Sequence, residues 1–224
     1  MPLTAAQPTA ELPGSLAGAF AFVDRLHEQG MGGILRSPCL PSPALSRALG
    51  CEVVVKLENL QATGSFKERG AYARLASLSE AERARGVVAA SAGNHAQGVA
   101  RHAEAMGMKA TIVMPEGTPM VKVHQTRALG AEVDITGADF DAAKAHALSL
   151  SEETGAVFIH PFDDPVVMAG QGTLAAEMLA EYPDLDTLVL PVGGGGLAAG
   201  CGLAARRVKP DIELVGVQSD LFPS

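Results

Sequence analysis

Short apolar runs separated by amphipathic stretches constrain the fold of this chain more than any other feature. From residue 53 onward these runs recur at intervals that leave room for a helix between them. Most are almost wholly apolar rather than alternating, which is typical of parallel strands covered on both faces. They lie at residues 53–55, 87–90, 111–114, 132–135, 157–159, 188–190 and 214–217. The sequence therefore predicts an α/β fold with mostly parallel sheets covered by helices.

Helix boundaries are marked at two places between these runs. Thr118 precedes Pro119, which predicts an N-cap followed by a first-turn proline, and Gly130 predicts the end of that helix. Asp164 precedes Pro165 in the same way, and the helix it starts is predicted to run to about residue 181.

Composition and charge exclude several classes of partner. The chain is 47% apolar and 19% charged, the balance of a soluble globular protein. Its net charge of -8 argues against nucleic acid, because phosphate backbones attract basic surfaces. Glycine and proline interrupt residues 188–205, so no apolar run is long enough to span a membrane. We expect neither a nucleic-acid nor a membrane partner.

The N-terminus and the cysteines bear on cellular location. The first residues lack a basic segment followed by an apolar block, so no secretory signal is predicted, and residues 2–18 are expected to form a loose leader. Cys39, Cys51 and Cys201 are isolated and form no CxxC pair. Free thiols in a reducing cytoplasm are the expected state, which predicts a cytoplasmic protein.

Several familiar catalytic motifs are missing from the sequence. The histidines form no H-E-x-x-H pair and there is no aspartate-rich cation loop, so no metal site is predicted. No G-x-S-x-G elbow is present, and no Walker A lysine follows the glycine-rich segment. These absences argue against serine hydrolases and P-loop nucleotidases.

Ligands of parallel α/β sheets collect beyond the carboxyl ends of the strands, so the loops that follow strands are the candidate binding sites. The first of these loops follows residues 53–55. Ser65 and Glu68 have the spacing of a capping box, which predicts a helix from Phe66 onward. Lys67 then falls in the first turn, where the helix dipole disfavours a cation. Partial burial there would favour the neutral amine that Schiff-base chemistry requires. An exposed lysine without such a role is the alternative.

The second loop follows residues 87–90 directly and consists of Ser91, Ala92, Gly93, Asn94 and His95. Its small residues let a ligand approach the backbone, and a helix N-terminus offers N–H groups to a carboxylate. Asn94 either caps that helix or binds a ligand. His95 is either catalytic or, as is commoner for a single histidine at a helix start, structural.

The third loop consists of Gly193, Gly194, Gly195, Gly196 and Leu197. Glycines between a buried strand and a helix leave backbone N–H groups free to surround an anion, and phosphate is the natural guest. A flexible turn is one alternative. Another is a dinucleotide fingerprint through Ala199, whose acidic partner, Asp220, lies rather far along the chain.

Taken together, these loops resemble the fold type II pyridoxal-phosphate (PLP) enzymes, in the branch of threonine and serine dehydratases and serine racemase. The resemblance covers the chain from about Asp24 to its end. It is carried by residues 56–61, 64–71, 91–95, 169–173 and 193–197, in matching order and spacing. It implies a tryptophan-synthase-β-like fold with two domains. The larger would comprise residues 1–80 and 161–224, and the smaller residues 86–160.

The resemblance also implies roles for individual residues. Lys67 would bind PLP covalently, Phe66 would pack against its pyridine ring and Asn94 would hydrogen-bond the ring hydroxyl. The third loop (Gly193, Gly194, Gly195, Gly196 and Leu197) would hold the phosphate. The second loop (Ser91, Ala92, Gly93, Asn94 and His95) would bind the substrate carboxylate.

The activity implied is conversion of L-threonine or L-serine to 2-oxobutanoate or pyruvate and ammonia, in a homo-oligomer. Serine racemase and 3-hydroxyaspartate dehydratase are alternatives within the group, and a truncated, non-catalytic PLP- or partner-binding protein is an alternative outside it. Racemases of the group carry a serine at the position of Ala92, and its replacement favours the dehydratase. Serine racemase has a glutamate metal ligand where Gln218 stands, so the resemblance does not imply a divalent-cation site of that kind. Members continue well past this point, so we expect the sequence to be incomplete at its C-terminus.

Overall fold

A computed structural model describes residues 15–221, which form helices packed on three sheets. The helices are α1 (Leu16–Glu28), α2 (Pro43–Leu49), α3 (Lys67–Ala76), α4 (Glu80–Arg85), α5 (Asn94–Ala105), α6 (Met120–Ala128), α7 (Phe140–Thr154), α8 (Pro165–Glu181) and α9 (Gly196–Val208). The strands are β1 (Cys39–Pro41), β2 (Val54–Lys56), β3 (Val87–Ala90), β4 (Ala110–Met114), β5 (Glu132–Ile135), β6 (Val157–Phe158), β7 (Thr187–Pro191) and β8 (Glu213–Val217). The α/β class is confirmed.

The largest sheet has four parallel strands in the order β5-β4-β3-β6. Strand β3 is buried along its whole length, and its side chains alternate between two cores. Val87 and Ala89 pack in the cluster that contains the buried face of α5, and Val88 and Ala90 pack with Ala143 of α7. Helices on both faces explain why this strand is apolar throughout. The second loop emerges from its carboxyl end.

The two smaller sheets depart from the expected pattern. Strands β1 and β2 pair antiparallel, and β1 is too short to form a recognisable apolar run. Strands β7 and β8 are parallel, but among residues 15–221 only one face of the pair is covered. Leu188 and Leu190 are buried, whereas Val189 and Val217 on the other face are 65% and 53% exposed. The prediction of burial on both faces is wrong for this sheet.

Helix boundaries match the sequence prediction at both ends of α8 and at the end of α6, but not at the start of α6. The Asp164 carboxylate accepts hydrogen bonds from the N–H groups of Val166 and Val167, and α8 ends at residue 181, as predicted. At α6 the N-cap is Pro119, because the Thr118 hydroxyl donates to a preceding carbonyl instead of capping the helix. That helix ends at residue 128 with Leu129 as its C-cap, and Gly130 follows in the left-handed conformation with a φ of 92°, so the predicted glycine stop is confirmed.

The expected leader falls mostly outside the described residues, which begin at residue 15. Its last residues are helical, because Ser15 caps α1 by accepting a hydrogen bond from the Gly18 N–H. Helix α1 is held by burial of Phe20 and Leu26 in the core shared with α8 and α9. Across residues 15–221, no helix combines the length and apolarity that crossing a membrane would need.

Helix α8 packs against α1, α3 and α9, and glycines set the close distances. A Cβ built on Gly172 would lie 2.7 Å from the Gly200 carbonyl oxygen. A Cβ built on Gly170 would lie 2.7 Å from the Arg69 carbonyl oxygen. A Cβ built on Gly200 would collide with the Met168 carbonyl. Side chains at these positions would push α3 and α9 away from α8.

Substituting Gly200→Ala is expected to lower the free energy of unfolding by about 1–3 kcal/mol, because the added methyl overpacks the α8–α9 contact. The control is Gly117→Ala, where an added Cβ meets nothing within 4 Å. That variant is expected to be neutral or more stable by about 0.4–1 kcal/mol. Urea unfolding measures both, and equal stabilities would contradict the close packing.

Candidate functional site

Lys67 is the first residue of α3, where the sequence had predicted a helix start one residue earlier. Its side chain is half-buried and its Nζ donates a hydrogen bond to the Pro161 carbonyl oxygen at 2.8 Å. Burial lowers the pKa of the Lys67 amine from its ordinary value of 10.5. The neutral amine, which is the nucleophilic form, is therefore favoured.

The predicted capping box at this helix is wrong. Ser65 accepts a hydrogen bond from the Lys67 N–H at 3.2 Å, but Glu68 bonds the Thr63 N–H rather than that of Ser65. The Glu68 carboxylate is completely buried and also accepts a hydrogen bond from Arg101 at 2.9 Å. This ion pair ties the start of α3 to α5.

Glu68 is ionised despite its burial. Burial alone would raise its pKa, but the nearby His102, at 3.3 Å, and the hydrogen bond from the Thr63 N–H lower it to about 2. Lys67 and Glu68 are adjacent in sequence, and the pKa of each is lowered. One site therefore favours a neutral amine beside a permanent carboxylate.

The second loop turns into α5, whose N-cap is Gly93. No side chain caps this helix, so the interpretation of Asn94 as a cap is wrong. The Asn94 side chain is exposed, while Ser91 accepts a hydrogen bond from the Gly93 N–H at 3.2 Å. The first turn of α5 is thus open to an anionic group, as expected for a carboxylate site.

His95 is buried beneath the second loop. Its Nε2 lies 3.1 Å from the Ile159 carbonyl oxygen, and its Nδ1 has no hydrogen-bond partner among residues 15–221. Burial lowers the pKa of His95 to about 4, and the hydrogen bond with Ile159 only partly opposes this shift. The ring is neutral at physiological pH, and its contact with Ile159 anchors the loop.

The third loop joins β7 to α9, and its geometry fits an anion. Gly195 is the N-cap in a left-handed conformation, with a φ of 81° that favours glycine, and no side chain caps the helix. Cβ atoms built on Gly193 and Gly195 would meet nothing within 4 Å. The start of α9 thus has no side-chain cap and open space beside Gly193 and Gly195, and uncapped N–H groups at a helix start are suited to binding phosphate.

The other two glycines pack on one aromatic residue. A Cβ built on Gly196 would lie 2.7 Å from the Phe162 carbonyl oxygen, and one on Gly194 would collide with the Phe162 ring. Glycine at these two positions is therefore required by packing, and at Gly195 by backbone conformation. A flexible turn has no need of either.

All three loops meet at residues 159–162, which follow β6. Ile159 contacts His95 of the second loop, and Pro161 accepts the hydrogen bond from Lys67. Phe162 packs against the glycines of the third loop. Sequence reasoning missed this segment as a site element, because only contact with the loops shows its role. The one available signal was its place immediately after a buried strand.

A buried ion-pair network lies behind the lysine. Arg69 is 0% exposed and donates to both carboxylate oxygens of Glu58, at 2.7 and 2.8 Å. It also donates to both oxygens of Glu177, at 2.8 and 2.9 Å, and to the Thr173 hydroxyl at 3.0 Å. Lys56 donates to Glu177 at 2.6 Å.

This network gives a physical role to motifs that had none. Its members come from residues 56–61, 64–71 and 169–173, together with Glu177 one turn further along α8. The third segment lies about a hundred residues after the first two, since Arg69 and Thr173 are 104 positions apart, and the charges of the network neutralise one another in the interior. Within residues 15–221 no group of three or more His, Cys, Asp or Glu side chains is arranged to hold a metal ion.

Comparison with known proteins identifies relatives over nearly the whole chain. A sequence model of the family described as pyridoxal-phosphate dependent enzymes matches residues 31–224. An L-threonine ammonia-lyase of Thermotoga maritima is 54% identical over 183 residues, which are 82% of this chain and 46% of that protein. The chain spans about half the length of the curated relatives it matches.

Solved structures show the same fold. The processed form of threonine deaminase isoform 2 from Solanum lycopersicum matches with a TM-score of 0.85 and 39% identity, over 97% of this chain and 63% of that one. Maize serine racemase matches with a TM-score of 0.84 and 32% identity, over 88% of this chain and 60% of that one.

Replacing Arg69 by methionine is expected to lower the free energy of unfolding by about 3–5 kcal/mol, because Glu58 and Glu177 would lose their shared buried partner. The contrasting variant is Arg207→Met, which breaks an ion pair with Asp24 whose side chains are 51% and 48% exposed. Its expected cost is about 0–1 kcal/mol. Chemical denaturation of both variants measures the difference, and similar losses would contradict the assignment.

Acid is expected to destabilise the protein through Glu68. Because folding depresses its pKa from 4.5 to about 2, the stabilisation is complete above pH 4.5 and is lost as pH falls toward 2. In Glu68→Gln the stability should fall less steeply over that range. The control is Glu132→Gln, which alters an exposed ion pair with Lys109 and should keep the wild-type slope. Identical slopes in all three proteins would refute the prediction.

Proposed function

The chain belongs to the family of pyridoxal-phosphate dependent enzymes, and we propose that it carries the cofactor and substrate loops of an ammonia-lyase acting on L-threonine or L-serine. The observation that carries the proposal is the placement of Lys67. Its amine is half-buried, favoured in the neutral form, and bonded to the same short segment that supports the uncapped glycine loop. An amine and a phosphate cradle at one place are what PLP requires.

The residues present fit the cofactor. We assign Lys67 as its covalent attachment, Phe66 as the residue against its ring and Asn94 as the hydrogen-bond donor to its ring hydroxyl. The phosphate is assigned to the open N-terminus of α9, through Gly193, Gly194, Gly195, Gly196 and Leu197. When bound, the cofactor supplies an electron-withdrawing ring that acidifies the Cα–H bond of an attached amino acid.

Proton transfer and substrate binding are assigned to different groups of the chain. The Lys67 Nζ, whose pKa burial lowers, is the proposed base that takes the Cα proton and holds it. The open first turn of α5, with Ser91, Ala92, Gly93, Asn94 and His95, is the proposed site for the substrate carboxylate. The buried Ile159 contact keeps that loop in place.

The choice of lyase over racemase rests on Ala92, which offers no second acid–base group on the opposite side of the substrate. Similarity to an L-threonine ammonia-lyase supports threonine as the first substrate to test, with 2-oxobutanoate and ammonia as products. Serine would yield pyruvate and ammonia.

Domain organisation and assembly are also proposals. A smaller domain of residues 86–160 is supported by the four-stranded sheet, whose strands lie between Val87 and Phe158. A larger domain of residues 1–80 and 161–224 is supported by the two remaining sheets, whose strands all lie outside residues 86–160. A cytoplasmic homo-oligomer is proposed from the resemblance and from the free thiols of Cys39, Cys51 and Cys201.

Lys67→Ala is expected to abolish the borohydride-sensitive absorbance band of the protein with PLP and to lower 2-oxobutanoate release from L-threonine by at least roughly 10²- to 10⁴-fold. The exposed Lys122 supplies a control, because Lys122→Ala should leave both readouts unchanged. A wild-type band without 2-oxo acid release would indicate a non-catalytic PLP-binding protein. An unchanged band in the Lys67 variant would overturn the assignment.

A further inference from the structure

The turn that follows β6 is built on one side-chain atom. His160 Nδ1 accepts hydrogen bonds from the backbone N–H groups of Phe162, at 3.3 Å, and of Asp163, at 2.7 Å. The imidazole also stands edge-on to Phe158 and Phe162, with ring centroids 6.1 and 4.8 Å apart. These contacts fix the path of the chain between the sheet and α8.

The shape of this turn matters because two of its residues contact the candidate site. Inside the turn, the Pro161 carbonyl oxygen accepts a hydrogen bond from the Lys67 Nζ at 2.8 Å. The next residue, Phe162, is the surface on which Gly194 and Gly196 pack. A change in the turn would therefore displace the support of both the lysine and the glycine loop.

We propose that His160 is a positioning residue that holds Phe162 beneath the glycine loop and so fixes the loop's geometry for a phosphate ester. This inference rests on the proposed function, because it takes the cofactor phosphate as the ligand of that loop. His160 itself is not assigned a contact with cofactor or substrate.

The turn requires one protonation state of the His160 ring. Since Nδ1 accepts two N–H groups, it must keep its lone pair, and the ring proton resides on Nε2. A proton on Nδ1 would face two donors and break both hydrogen bonds. The ring must therefore be neutral for the turn to keep its shape.

Charged and titratable groups face the ring from several elements. They are Lys144 of α7, Lys67 of α3, His95 of α5, and Asp163 and Asp164 of the turn and the α8 cap. Burial, followed by the charge of Lys144, lowers the pKa of His160 from 6.5, while the two aspartates oppose the shift. The turn is thus intact above pH 6.5, and its hydrogen bonds are lost only as pH falls below that value.

Pyridoxine 5′-phosphate isolates the phosphate contribution, because it has no aldehyde to react with Lys67. In His160→Phe, which keeps an aromatic ring and removes the acceptor, the Kd of this ester is expected to rise about tenfold, the equivalent of one net hydrogen bond. His160→Asn restores an acceptor that bonds the N–H two residues on, so its Kd should stay within about threefold of wild type. The exposed His124→Phe is the control and should bind as wild type.

A second measurement reads the turn itself. Amide hydrogen exchange at Phe162 and Asp163 should be slow in the wild type and fast in His160→Phe, and in His160→Asn it should remain slow at Phe162. In the wild type it should also become faster as pH falls below 6.5, after correction for the intrinsic exchange rate. Free pyridoxine, which lacks the phosphate, should bind equally to all variants.

The outcomes separate this inference from the ammonia-lyase proposal. Wild-type affinity of folded His160→Phe for pyridoxine 5′-phosphate would overturn the inference, as would fast wild-type exchange at both amides. A wild type that binds no phosphate ester would overturn both the inference and the cofactor assignment. The expected variant pattern without 2-oxo acid release from threonine or serine would overturn the activity alone and leave the role of His160 standing.

Discussion

The buried guanidinium of Arg69 is the interaction on which the site depends. A charge fully withdrawn from water is costly unless it is paired and hydrogen-bonded, and Arg69 is paired with Glu58 and Glu177 at the same time. Its partners come from the turn before α3 and from α8. Because the guanidinium must be paired with both carboxylates, these elements are brought together. Lys67 lies two residues away on the same helix, and its position follows from this constraint.

Packing and polarity support the lysine from opposite sides. Behind it, glycines of α8 and α9 permit close helix contacts that a methyl group would prevent. In front of it, residues 159–162 connect the second loop, the lysine and the glycine loop through two backbone carbonyls and one aromatic ring. The site is therefore assembled from backbone groups on rigid elements, which suits a reaction whose chemistry is supplied by a cofactor.

Adjacent residues show how burial acts differently on different groups. Desolvation lowers the pKa of Lys67, and its hydrogen bond to the Pro161 carbonyl is to an uncharged group. Glu68 is desolvated as well, but hydrogen bonds to the carboxylate outweigh that effect and keep it charged. At this helix start the pKa of an amine and the pKa of a carboxylate are both lowered, which follows from two local environments rather than from the residue types alone.

The sequence by itself determined the fold class and the three loops, because apolar periodicity and glycine runs are local signals of buried strands and open helix N-termini. It also located the α8 cap at Asp164, where the capping bonds lie within three residues. Only the tertiary structure decided that Glu68 bonds Thr63 and Arg101 instead of closing a capping box, that Asn94 does not cap α5, and that one face of β7 and β8 is uncovered. The Arg69 network and the His160 turn were equally hidden, since burial, charge neutralisation and contacts between distant segments exist only once the chain has folded.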